Sequence, residues 1–287
     1  MTDVTTNAAL NEEVKIELCQ EVQRHLENVL KQRKITNYTF EVTSGAVKGD
    51  NYMGVIYKAV VKALDENGKP VRFDWIVKCA PQAKMIRDMM EIGKFYVRES
   101  YIYEVFFPTL KNFHLEYGIL TSFGTTPPLV TTYSVAPNET IVMEDMKALG
   151  YVLRDRKEPL GYNHVRLVME TYGKLHAFSF ALRDQRPDEF QDIKSKMIDM
   201  FYMDEHHLNP MTQGHVAMIN NKILESLDPV EDRREIEIFK KYSEKLMDEL
   251  KKVTERATDG KYSVFTHGDC WVNNMLFKYD VSNVFKL

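Results

Sequence analysis

The chain has 287 residues, 44% hydrophobic and 28% charged, which excludes a disordered or fibrous protein. A net charge of −4 gives no global attraction to nucleic acid or to an anionic membrane, and neither partner is expected. Cys19, Cys79 and Cys270 are too widely spaced for a zinc site or a disulfide framework. With no secretory signal and no membrane-length apolar run, a cytoplasmic protein is expected.

Val14, Leu18, Val22, Leu26 and Leu30 recur every four residues and predict a helix over residues 9–33. Strand-like runs follow at 38–42 and 53–64, and Asp65-Glu66-Asn67-Gly68 makes a turn into a third at 71–79. Helical periodicity resumes over 84–111, with a break expected at Gly93. Two further strands, 129–135 and 140–146, are joined by Ala136-Pro137-Asn138-Glu139. Residues 163–256 read as mainly helical. Val165, Val168, Tyr172, Leu175, Ser179 and Leu182 make one apolar face there, and Ile236, Phe239, Tyr242, Leu246, Leu250 and Val253 another. Short strands are expected at 262–266, 275–279 and 283–287, around a polar loop. The expected class is α+β, with a β-rich lobe over 1–147 and a mainly helical lobe over 148–287, hinged without a Pro/Gly spacer.

The polar loop, His267-Gly268-Asp269-Cys270-Trp271-Val272-Asn273-Asn274, carries the clearest chemical signal. An Asp with an Asn five residues later suits phosphoryl transfer. The Asp takes the proton of an attacking hydroxyl, and the Asn amide oxygen is a neutral ligand for Mg²⁺. The same composition also suits an Asx-rich turn. Lys78 sits in the apolar run Trp75-Ile76-Val77-Lys78-Cys79. There it calls for an anionic partner such as a phosphate, unless it snorkels to water from an edge strand. Glu99, on the next helix, is the candidate to pair with Lys78, with Glu91 and Glu104 as competitors. Gly49, Asp50 and Asn51 lie in a Gly-containing loop able to cover phosphates, or to serve as a plain hairpin turn. Glu144 and Met146 flank the hinge, where backbone groups can read an adenine edge; Glu144 and Asp145 equally suit solvated strand-end residues.

The run Thr266 to Phe277 resembles the HGDxWxxNxxF signature of the ecdysteroid-kinase-like (CHK-kinase-like) family, which is related to choline kinases and aminoglycoside phosphotransferases. Similar patches are Gly49-Asp50-Asn51-Tyr52, Ile76-Val77-Lys78, Phe95 with Glu99, Val142-Met143-Glu144-Asp145 and Leu175-His176-Ala177. The resemblance implies a bilobal protein-kinase-like fold that uses ATP and Mg²⁺ to phosphorylate a small hydroxylated substrate, an ecdysteroid-like steroid or a foreign alcohol. By the same resemblance Lys78 holds nucleotide phosphates and Glu99 orients it. Asp269 is the catalytic base, Asn274 a metal ligand, and His267 a brace for the loop. In that family an Asp-Phe-Gln-type motif follows the next strand and supplies the principal metal carboxylate. Val284-Phe285-Lys286-Leu287 resembles the start of that strand, so the lower lobe is expected to be truncated. A second reading therefore stands beside the first: an impaired pseudokinase or binding module, with a protein partner on its uncovered C-terminal lobe.

Overall fold

The N-terminal helix forms as α1 (Gln20–Gln32), which buries Val22, Leu26, Val29 and Leu30 as one stripe. A computed structural model describes residues 17–46, 54–119, 124–197, 210–258, 260–279 and 285–286. Gly49, Asp50 and Asn51 lie outside them, as does Val14 of the expected helical stripe. The chain divides into two units. One comprises Met1–Asn112, Gly124–Val168 and Asp269–Leu287; the other comprises Phe113–Phe123 and Met169–Gly268.

The first unit is built on a five-stranded antiparallel sheet. Its strands are β1 (Thr36–Ser44), β2 (Val55–Leu64), β3 (Pro70–Cys79), β4 (Leu129–Tyr133) and β5 (Thr140–Glu144). They lie in the order β1-β2-β3-β5-β4. Turn chemistry sets the first register: Asp65 Oδ1 accepts the N–H groups of Asn67 and Lys69, and Leu64 then faces Pro70. Because a strand alternates faces, β3 sends Trp75 and Val77 to the side covered by α1. There they join Leu26, Leu30, Ala59, Val61 and Val142 in the main core. Lys78, one residue on, falls on the opposite side.

That opposite side receives α2 (Lys84–Met90) and α3 (Ile92–Tyr101), which continue through a π-helical turn, Ile102–Phe106, into α4 (Phe107–Glu116). Ile92 and Tyr96 of α3 pack with Ala80 and Ile141 in a second cluster. The break between α2 and α3 falls at Glu91, not at Gly93 as expected. Glu91 adopts φ +48°, a conformation that costs a non-glycine residue about 1 kcal/mol. Its carboxylate reaches Lys94 Nζ at 2.5 Å. Gly93 is an ordinary helical residue, so composition alone misplaced the stop.

A smaller sheet joins β6 (Tyr151–Leu153), β7 (Leu276–Tyr279) and β8 (Phe285–Lys286), each antiparallel to β7. β6 has no counterpart among the expected strands; three residues are too few for a period-2 signal. From α5 (Tyr162–Gln185), His164 places its ring edge-on to fully buried Phe277 and bonds Tyr279 Oη at 2.8 Å. This fixes the strand that leaves the polar loop.

The second unit holds most of α5 with α6 (Pro187–Lys196), α7 (Pro210–Ser226) and α8 (Arg233–Thr258). Its buried residues include Phe178, Leu182, Phe190 and Ile193. Arg186 ties the helices together: it pairs with Glu116 and Glu189 and lies over the Phe113 ring. The strand expected at 262–266 does not form. No strand ladder is available there, so α5 side chains satisfy the backbone instead. Ser179 Oγ accepts the Phe265 N–H at 2.9 Å, and Arg183 donates to the carbonyls of Lys261 and Ser263. None of the described helices is long and apolar enough to cross a membrane.

Cys79 ends β3 against the main core, and burial pushes its thiol up to about 11, opposed by a hydrogen bond from Thr140. The thiolate is the reactive form, so at neutral pH Cys79 holds less of it than an unperturbed thiol. Maleimide at pH 7.5 is therefore expected to label exposed Cys19 and Cys270 rapidly and partly buried Cys79 far more slowly. Equal rates at all three, read by mass spectrometry, would contradict the partly buried position of Cys79.

Candidate functional site

Lys78 faces Ile56 on β2 and Ile141 on β5. Its neighbours across the sheet are aliphatic, so its charge is met from α3. Lys78 Nζ lies 2.6 Å from Glu99 Oε2, with side chains 19% and 29% exposed. At that distance the contact is a charge-assisted hydrogen bond. The competing glutamates are committed elsewhere, Glu91 to Lys94 and Glu104 to the Thr132 hydroxyl. One helical turn before Glu99, the Tyr96 ring lies 5.8 Å beneath Lys78 Nζ. Burial, then the nearby Glu99 charge, holds the Tyr96 hydroxyl well above the usual tyrosine range.

The Tyr96 hydroxyl also abuts Gly54, the first described residue after the Gly-containing loop. A Cβ on Gly54 would lie 2.5 Å from Tyr96 Oη and 2.6 Å from the Cys79 carbonyl. Only glycine lets the chain enter β2 this close to β3 and α3.

At the end of β5 the two acidic neighbours part company. Glu144 is exposed, as a strand-end residue would be. Asp145 is not: it is 3% exposed, which corrects the solvated reading for that residue. Its N–H donates to the Asp74 carbonyl at 2.8 Å, and its Oδ1 accepts the Lys147 N–H at 2.9 Å. Its Oδ2 pairs across 3.4 Å with Lys58 Nζ. Asp145 thus pins the connection out of the sheet. Met146 is also buried, and its carbonyl accepts from the amides of Leu149 and Tyr151.

The polar loop is braced from within. Gly268 takes φ +78°, a left-handed turn that a side chain would strain. Beyond it, Trp271 N–H bonds the Asp269 carbonyl, and a 3₁₀ turn, Val272–Asn274, follows. Asn274 Nδ2 donates to Asp269 Oδ2 at 2.8 Å and to the Asp269 carbonyl at 3.0 Å. The five-residue spacing therefore places the Asn amide nitrogen on the Asp it follows. In the other unit the His267 ring stands edge-on to Tyr172, with centroids 6.4 Å apart.

A model of the ecdysteroid kinase-like family matches residues 48–286. The chain belongs to the ecdysteroid kinase-like family. No curated protein and no solved structure matches it. Membership of the ecdysteroid kinase-like family gives the chain a kinase-like phosphotransferase lineage. The antiparallel sheet with its added helices accords with a kinase-like fold.

Among the described residues, no group of three or more His, Cys, Asp or Glu gathers as a metal-binding set. One carboxylate and one amide, Asp269 and Asn274, still suit Mg²⁺, which keeps several waters and takes oxygens from substrate phosphates. The structure thus brings Lys78 to Glu99 and Asp269 to Asn274. The roles of buried Asp145 and its partner Lys58, which support the connection out of the sheet, were missed in the sequence, as was Arg183. The Asp145-Met146-Lys147 run held a usable signal, since Asp readily accepts the N–H two residues on.

Proposed function

We propose that this chain binds ATP with Mg²⁺ and transfers the γ-phosphoryl group to a hydroxyl of a small molecule, an ecdysteroid-like steroid or a foreign alcohol. The Lys78–Glu99 pair carries the reading: a half-buried ammonium held on an apolar strand by a helical carboxylate is poised for a second, polyanionic partner. Family membership supports the reaction class. In this reading Lys78 holds nucleotide phosphates and Glu99 orients it. Gly49, Asp50 and Asn51 cover the phosphates, and His267 steadies the entry to the loop. The Met146 carbonyl and the Glu144 N–H are engaged, the latter on the Pro128 carbonyl, so in this reading the Met146 N–H and the Glu144 carbonyl meet the adenine edge. Asp269 accepts the hydroxyl proton as the oxygen attacks the γ-phosphorus and ADP leaves. Asp269 and Asn274 would hold Mg²⁺, which when bound neutralises phosphate charge.

The test is calorimetric titration of the folded chain with ATP and Mg²⁺. Lys78→Met is expected to weaken binding by roughly 10- to 100-fold, the worth of a hydrogen bond to a charged group. Absence of ATP binding by the wild-type chain, or unchanged affinity in the variant, would overturn the reading. A panel of hydroxylated steroids and phenols, followed by product mass spectrometry, then identifies the acceptor.

A further inference from the structure

Glu139 is 5% exposed in a turn between two strands, an expensive place for a carboxylate unless its charge is met. Arg87 of α2 meets it, with Nη2 2.6 Å from Glu139 Oε1 and side chains 14% and 6% exposed. The same guanidinium donates from Nη1 to the carbonyls of Pro81, at 3.2 Å, and Pro137, at 3.1 Å. One planar fork thus ties α2, the exit of β3 and the β4–β5 turn. Gln82 runs beside it, donating to the carbonyls of Ala80 and Pro137.

The tie reaches both members of the Lys78–Glu99 pair. On the strand side, the Glu139 carbonyl accepts the Ala80 N–H at 2.8 Å, two residues beyond Lys78. On the helix side, Glu139 Oε1 lies against Gly93, at 3.5 Å from where a Cβ would sit, in the first turn of α3. The Glu91 N–H closes α2 on the Arg87 carbonyl, so one residue links the clamped helix to the helix that bears Glu99. Ile92 and Tyr96, buried against Ile141, make α3 a rigid lever from that point.

We infer that Arg87 and Glu139 are positioning residues whose ion pair sets α3 against the sheet and thereby holds Glu99 on Lys78. The inference rests on the reading above for its functional meaning, but its geometry is testable without nucleotide. The probe is the acylation rate of Lys78 by an N-hydroxysuccinimide ester, read by peptide mass spectrometry in the full chain. Glu99→Gln removes the partner directly and sets the rate of an unrestrained Lys78. Arg87→Ala and the isosteric Glu139→Gln are each expected to raise the Lys78 rate several-fold towards that value. Lys62, paired with Glu41 on the same sheet, should keep its wild-type rate.

A wild-type Lys78 rate in either folded variant would overturn the inference, and so would an equal rise at Lys62, which marks general loosening. If Arg87→Ala does not fold, Glu139→Gln carries the test. A chain that shows this labelling pattern yet binds no ATP keeps the positioning role and loses the kinase reading.

Discussion

Asp269→Asn is expected to lower turnover of a hydroxylated acceptor by about 10²- to 10⁴-fold, the range for loss of a positioned general base. The substitution is nearly isosteric, and an amide oxygen can still accept the hydrogen bond that Asn274 Nδ2 now donates to Asp269 Oδ2 at 2.8 Å. The carbonyl of residue 269 still receives the second bond from Asn274 and the Trp271 N–H. The loop therefore keeps its shape while its proton acceptor is lost. Nucleotide affinity, set in this reading largely by Lys78, is expected to change only a few-fold. Single-turnover product formation beside an ATP titration separates the two effects. A variant that turns over at the wild-type rate would remove Asp269 from the chemistry; one that fails to bind ATP would place it in nucleotide binding instead.

Gly54→Val is expected to be the most damaging small substitution in the described part of the first unit. One of the two atoms in the way, the Cys79 carbonyl oxygen at 2.6 Å, is backbone at the end of the central strand β3 and cannot swing aside as a side chain can. The other, Tyr96 Oη at 2.5 Å, is fixed because its ring is buried between α3 and the sheet. Overpacking of this kind costs about 1–3 kcal/mol. That corresponds to a fall in melting temperature of roughly 2–12 °C for a chain of this size. Gly68→Ala is the comparison: φ is +76° there, but nothing lies within 4 Å of the added Cβ. It carries only a backbone penalty of about 1 kcal/mol. Equal losses in the two variants, read by thermal melts, would mean that close approach at Gly54 is not what matters. A displaced Tyr96 would also disturb Lys78 above it, so Gly54→Val should weaken ATP binding where Gly68→Ala does not.

Local periodicity determined a good deal of this protein. The stripe Val22, Leu26, Leu30 is the buried face of the first helix, with Leu18 buried just ahead of it, and the meander is joined by the turn at Asp65. Both signals repeat within a few residues, so neighbouring side chains carry them. The order of Lys78, Glu99 and the Asp269–Asn274 loop was legible for the same reason, because each sits in a short run of distinctive composition. Composition could not choose among Glu91, Glu99 and Glu104, which look alike on a helix. The face of α3 that meets β3 chose Glu99.

What only the tertiary structure decided depends on partners far apart in the chain. Asp145 reads as a solvated strand end until Lys58 and the sheet close over it. Arg87 is an unremarked helical cation until Glu139, 52 residues on, is buried beneath it. The segment before His267 has the composition of a strand, yet it joins no sheet, and Ser179 and Arg183 of α5 bond its backbone instead. A strand needs a neighbouring strand, and a buried charge needs its counterion. Sequence spacing encodes which face a residue occupies, but not what the fold brings to that face.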